Sequence, residues 1–353
     1  MSKFIQLHIL TSYPPSNINR DDMGRPKTAK MGGVDRLRIS SQSLKRSWRT
    51  SDLFESSLCG HIGTRTKELG VDIYKKMIAA SIKPKDAKEW SKSIAGTFGK
   101  LKAEDKKDPD SLVDLEIEQL AHVSPEERSA IDTLVNTLIS EKRAPGADEL
   151  QLLRHPETAV DIALFGRMLA SRPEFNMEAA CQVAHAISVH PVVIEDDYFT
   201  AVDDLNNGVD DMGAAHIGES GFAAALFYIY LCIDKEMLLK NLGNNNSLVQ
   251  KTLGALVEAA IKVSPEGKQN SFGSRAWASY CLAEKGDEQP RSLSVAYLKP
   301  VTGTNYCEDA IKAIKRTCEN MDKVYEVVNP NRKELNAISG EGSLSELINF
   351  VKE

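Results

Sequence analysis

RISSQSLKRSWR, residues 38–49, reads as a helix that Ser40 or Ser41 can cap. At about 100° per residue, Gln42, Lys45, Arg46 and Arg49 fall within roughly a 100° arc, and Leu44, Trp48 and Ser51 face the opposite way. Leu44 and Trp48 therefore anchor the helix, and three cations and an amide point outward. Upstream, residues 3–10 alternate as a strand, with Ile5, Leu7 and Ile9 on one face and Phe4, Gln6 and His8 on the other. Residues 11–38 read as a long irregular stretch, broken by Pro14, Pro15, Pro26 and the Gly32-Gly33 pair. Loops of this length inside a compact domain are usually functional or disordered.

Charge singles out the same region. The first fifty residues hold ten Lys/Arg against Asp21, Asp22 and Asp35, a balance of +7 in a chain whose net charge is −6, so the remainder carries −13. Such asymmetry points to one anion-binding face on an otherwise acidic body. A phosphate chain needs several cations at regular spacing and amide donors at a helix start. Lys45 and Arg49 on one helix face, with Ser40, Ser41 and their N–H groups at its start, supply both. The plainer alternative is a solvated basic helix face, but the adjoining basic, Gly-rich loop and the acidic remainder favour binding.

Downstream, residues 60–158 read as mostly helical and charged, with the capping box Ser124-Pro125-Glu126-Glu127 leading into Ile131, Leu134, Val135 and Leu138. Strand patterning is expected again at 160–168, 180–193 and 222–233, with an acidic, turn-rich arm at 195–218. A helix is expected at 247–263, a loop at 267–273, strands at 276–283 and 293–298, and a helix from Glu308 to about Tyr325. This order of elements predicts an α+β fold with antiparallel pairing and an inserted helical lobe.

The chain's 353 residues suggest roughly two domain-sized units. With 42% hydrophobic and 27% charged residues, it has ample core material. No apolar run approaches the ~20 residues of a membrane span, and MSKFIQLHIL reads as a strand rather than a signal peptide. Six scattered cysteines without a C-x-x-C pair favour a reducing cytoplasm and argue against structural zinc. Nucleotide-binding glycine motifs are missing from the sequence. All seven histidines read as structural. Asp21 and Asp22 are a weak candidate for a divalent metal serving phosphodiester hydrolysis; local ion pairs with Arg20 and Arg25 are the favoured alternative. Tyr198-Phe199-Thr200 can stack against bases or pack its own loop.

NRDDMGRPKTAKMGG (19–33) followed by RLRISSQSLKRSWR (36–49) closely resembles the CasC family, the repeated backbone subunit of type I-E CRISPR Cascade complexes. The likeness continues in VDIALFGRM (160–168), AHAISVH (184–190), DYFTAVDDL (197–205) and AAHIGESGF (214–222) through FYIY (227–230). It covers most of the chain outside residues 60–158. The resemblance implies a modified RRM-like (ferredoxin-like) palm of residues 1–59 and 159–353, a helical finger lobe at 60–158 and a thumb hairpin at about 191–220. It implies no cofactor and no enzymatic activity. The implied partners are a CRISPR guide RNA, target DNA through that guide, further copies of the chain head to tail, and other Cascade subunits. By the same resemblance, Arg20, Lys27, Arg38, Ser40, Gln42, Lys45, Arg46 and Arg49 would touch the RNA backbone. Arg167 and Met168 would lie by a displaced nucleotide, Tyr198, Phe199 and Thr200 on the thumb, and Lys268, Gln269 and Asn270 in a further binding loop. Related type III backbones cleave RNA through an acidic loop residue, which keeps Asp21 and Asp22 under consideration as a metal-dependent ribonuclease site.

Overall fold

A computed structural model describes residues 2–105, 107–108, 111–201 and 216–353. In chain order the elements begin β1 (Phe4–Ser16), β2 (Thr28–Met31), β3 (Val34–Ile39), α1 (Ser41–Arg49) and α2 (Asp52–Ser57). They continue with β4 (Thr64–Thr66), α3 (Leu69–Ala79), α4 (Pro84–Gly96), β5 (Ala121–Val123), α5 (Pro125–Glu141) and α6 (Val160–Phe165). Next come β6 (Cys181–Val183), β7 (Ala186–Ser188), β8 (Glu195–Ala201), β9 (His216–Asp234), α7 (Lys235–Asn241) and α8 (Asn246–Lys262). The chain ends with α9 (Gln269–Phe272), β10 (Ala278–Gly286), α10 (Tyr306–Val324), β11 (Asn331–Asn336) and α11 (Leu344–Lys352). The fold is mixed α+β with an antiparallel sheet.

The chain divides into two compact units. The first comprises Met1–Phe54, Gln182–Ile233 and Leu253–Glu353. Its sheet runs β11-β10-β1-β9-β7-β3-β2, with β8 paired to β9 off that path. Strand β1 lies between β10 and β9, in the interior of the sheet. Ile5, Leu7, Ile9 and Leu10 are buried, and so are Gln6 and His8. The polar pair is accommodated by bonding: Gln6 Oε1 accepts from Tyr230 OH and Arg291 N–H. His8 bridges Tyr228 OH and Glu284 Oε2, each at 2.9 Å. Arg291 and Arg332 also reach Glu284. Burial raises the Glu284 carboxyl pKa, but the hydrogen bond from His8 and the charges of Arg291 and Arg332 outweigh that effect and hold it at about 2. Burial lowers the His8 pKa. An ionised Glu284 can only accept, so neutral His8 carries its proton on Nε2 and accepts the Tyr228 hydroxyl at Nδ1.

The second unit comprises Glu55–Cys181 and Asp234–Thr252. Its core brings Leu69, Ile73 and Met77 of α3, Trp90 and Ile94 of α4, and Ile131 of α5 into one cluster. The expected capping box forms at Ser124 and Glu127, with Pro125 in the first turn.

Several local expectations differ from the structure. Residues 11–38 are not one irregular stretch: β1 continues to Ser16, and β2 and β3 make a hairpin turned by Gly32 and Gly33, at φ +65° and +81°. A Cβ on Gly32 would sit 1.7 Å from the Leu298 carbonyl oxygen, so only glycine closes this turn. The helical lobe also contains a two-stranded antiparallel sheet, β4 paired with β5. The apolar run at 160–168 is the helix α6, not a strand: Val160, Ile162, Ala163 and Leu164 are all buried, and full burial erases the amphipathic period that separates the two. Gly166, at φ +80°, ends it. Residues Ser294–Tyr297 form a 3₁₀ turn where a strand was expected. The arm at 195–218 and the thumb expected at about 191–220 include residues 202–215, which lie outside the described residues.

Candidate nucleic-acid interface

Helix α1 carries out the sequence pattern. Leu44 and Trp48 are buried, Gln42 and Arg46 are exposed, and Lys45 and Arg49 are half-buried. Arg46 and Arg49 also fall in the last turn, where a cation complements the helix dipole. Ser40 starts the helix with extended φ/ψ, but its hydroxyl makes no cap bond. The Ser40 N–H donates to Asn19 Oδ1 at 2.9 Å, and the Ser41 N–H donates to His185 Nδ1 at 3.1 Å. This corrects an expectation: the Ser40 and Ser41 amides tie α1 to the neighbouring loop and strand, so they are not open donors for a phosphate.

Strand pairing assembles the rest of the face. Arg38 N–H donates to the Lys27 carbonyl and Lys27 N–H to the Asn19 carbonyl, which sets Lys27 and Arg38 side by side. Arg38 pairs with Ile187 across β3 and β7 and lies 3.4 Å from His185 Nδ1. Slight burial and the charges of Arg38 and Lys27 lower the His185 pKa. Neutral His185, accepting at Nδ1, carries its proton on Nε2. Sequence reasoning assigned this histidine no binding role; the register that brings it to Arg38 spans nearly 150 residues and leaves no local signal.

A polar cleft of about 490 Å³ is lined by Arg20, Asp21, Asp22, Arg46, Glu266 and Gly267, among others. It joins the amino-terminal loop, α1 and the loop before α9. The approach is close: a Cβ on Gly267 would lie 2.3 Å from the Ile18 carbonyl oxygen. Just beyond it, Lys268 takes a left-handed backbone and donates from Nζ to Ser220 Oγ at 2.8 Å. Gln269 Nε2 donates to the Pro265 carbonyl, and Asn270 is exposed.

The expected ion pairs of Asp21 and Asp22 with Arg20 and Arg25 take another form. Arg25 pairs with Asp196 at 3.0 Å, and Asp21 Oδ1 accepts the backbone N–H groups of Met23 and Arg25. Among the described residues, no group of three or more His, Cys, Asp or Glu is placed to hold a metal. Arg36, one of the ten amino-terminal cations, is fully buried and donates to the carbonyls of Met31, Ser188 and Tyr297. It braces the hairpin and adds nothing to the exposed basic face.

In the second unit, Arg167 and Met168 behave oppositely. The Arg167 guanidinium is buried, donates to both Glu127 oxygens at 2.9 and 2.8 Å, and reaches the carbonyls of Arg154 and Phe175. Expected beside a displaced nucleotide, Arg167 here spends its guanidinium on partners within the protein. Met168 is 82% exposed and borders a groove of about 300 Å³ with Leu120 and Lys100. In the first unit, Tyr198, Phe199 and Thr200 are exposed on β8. The Phe199 ring lies where a Cβ on Gly218 would be, at 2.3 Å, so the paired strand needs glycine there.

The α+β fold thus carries an exposed cationic face on its first unit. Residues 5–346 match the family described as CT1975-like protein, and the chain belongs to that family. It is similar to a chain of a solved "CRISPR RNA-guided surveillance complex, pre-nicking", with TM-score 0.84, 26% identity and 99% of each chain covered. It shares its fold with a chain of a "CRISPR RNA-guided surveillance complex", with TM-score 0.60, 22% identity, and 98% of this chain and 92% of that chain covered. Comparison with curated proteins gives no match.

Proposed function

We propose that this chain is a backbone subunit of a CRISPR RNA-guided surveillance complex of the Cascade kind, type I-E, and that it holds the guide RNA by its sugar–phosphate backbone. The observation that carries the reading is the full-length likeness to a chain of such a complex, with a TM-score of 0.84 over 99% of both chains. The palm, in this reading a modified RRM-like domain, grips the strand through Arg20, Lys27, Arg38, Gln42, Lys45, Arg46 and Arg49. Cations on phosphates carry no sequence information, so the grip accepts any guide. Bases left outward remain free to pair with target DNA. The hairpin bearing Tyr198, Phe199 and Thr200 is the thumb that displaces a nucleotide at intervals, and the exposed Met168 side chain meets a displaced nucleotide. Copies assemble head to tail, in contact with other subunits of the complex.

In this reading the chain is a scaffold rather than a nuclease. The engagement of Asp21 Oδ1 with two backbone N–H groups supports a turn-forming role. No helix among the described residues is long and apolar enough to cross a membrane. The test is to co-express the chain with a CRISPR RNA and the other complex subunits, then extract and size the RNA that co-purifies. Recovery of full-length guide, protected at a regular spacing from added nuclease, is expected. Purification free of nucleic acid contradicts the proposal.

A further inference from the structure

The first unit presents an exposed tryptophan that the proposed grip does not use. Trp277 is 68% exposed, whereas Trp48 and Trp90 are at 1% and 7%. It stands at the closing end of the loop that carries Glu266 and Gly267 of the polar cleft and Lys268, Gln269 and Asn270 beyond them. That loop is pinned shut at its base. Ser264 Oγ accepts the Ala276 N–H at 2.8 Å and donates to the Ala276 carbonyl at 3.0 Å. The next residue, Ala278, begins β10 and pairs with Thr11. Trp277 is thus held between two fixed neighbours and displays its ring to solvent from a rigid backbone.

The surroundings indicate what covers it. The Lys262 ammonium lies 5.4 Å from the ring centroid, itself paired with Glu258 at 2.7 Å, and Arg275 is exposed two residues away. The cores of protein–protein interfaces are depleted in lysine. A π-face with cations beside it suits a base and its phosphate, as in sites for single-stranded nucleic acid. We infer that Trp277 is a stacking platform for one unpaired nucleobase of the strand that the basic face holds. The inference rests on the proposed RNA-binding reading and adds a contact to a base where that reading has contacts to the backbone.

The two buried tryptophans make the test direct, because only Trp277 is open to a quencher. Full-length protein is titrated with an unstructured oligouridylate and, separately, with an abasic strand of equal length; tryptophan emission and filter retention are read in parallel. The expected result is quenching by oligouridylate and much less by the abasic strand, with the quench gone and retention kept in Trp277→Phe. Trp277→Ala should bind about ten-fold more weakly. Retention without quenching, or equal quenching by both strands, overturns the stacking role and leaves the backbone grip standing. Emission that changes with protein concentration before any RNA is added assigns the ring to a second copy and overturns it too. Failure of either strand to be retained contradicts the RNA-binding reading itself, and the stacking role with it.

Discussion

Arg167 and Glu127 form a fully buried ion pair in the second unit, with the guanidinium nitrogen 2.8 Å from the carboxylate. Glu127 also accepts the N–H groups of Ser124 and Arg154, so one carboxylate joins the start of α5, the 154 region and the segment after α6. The chain beside Arg167 is fixed from below, and Met168 projects from it.

Removing one partner of this pair leaves the other buried and uncompensated. Glu127→Gln or Arg167→Met is expected to destabilise the protein by about 3–5 kcal/mol, seen as an earlier midpoint in urea denaturation. Where the variant remains folded, the salt dependence of RNA binding should match the parent, because the guanidinium touches no phosphate. A stable Arg167→Met with a flatter salt dependence would restore Arg167 to the interface.

The His8–Glu284 pair should make stability fall in acid. Both groups have pKa values lowered by folding, His8 from 6.5 and Glu284 from 4.5 to about 2. Each contributes stability that is full above its unfolded pKa and is lost as pH falls toward its folded pKa. Thermal melts should therefore shift downward below about pH 6.5 and more steeply below about pH 4.5, by at most ~1.4 kcal/mol per pH unit for each proton. In His8→Gln the decline between pH 6.5 and pH 5 should shrink. A melting temperature independent of pH across that range would contradict the assignment.

Gly32 closes the β2–β3 hairpin with a left-handed backbone against the Leu298 carbonyl. Gly32→Ala should cost more than about 1 kcal/mol, since the strained backbone and the blocked Cβ position add. Gly24→Ala, with a positive φ but open space around it, should cost less. Equal midpoints for the two variants in chemical denaturation would show that the close approach does not matter.

The ribonuclease alternative makes the opposite claim about Asp21. RNA complementary to the guide, incubated with the assembled complex and Mg²⁺ or Mn²⁺, should remain intact. Cleavage that disappears in Asp21→Ala or Asp22→Ala would make the chain an enzyme.

How much of the fold and the interface was legible in the sequence depended on how local each cause was. Helix α1 could be read because Leu44, Trp48 and the cations repeat with its own period. The capping box at Ser124 could be read because its two partners lie three residues apart. Helix α6 was read as a strand because burial on every side removes the polar stripe that would mark its period. The fates of Arg36 and Arg167 could not be read at all. Both are cations in a basic or motif-rich context, and only long-range packing against Ser188, Tyr297 or Glu127 shows that they face inward. His185 was missed for the matching reason, since the β3–β7 register alone brings it to Arg38 and Ser41.

The central claim is that the α1 face meets RNA phosphates, and its most direct test is the salt dependence of binding to a single strand. With Lys45→Ala and Arg46→Ala combined, the slope of log affinity against log salt should flatten by about 0.7 for each phosphate deprived of its cation, or roughly 1.4 in all. The loss of affinity should be the same for strands of unrelated sequence. A slope unchanged from the parent would place the RNA on another face of the molecule.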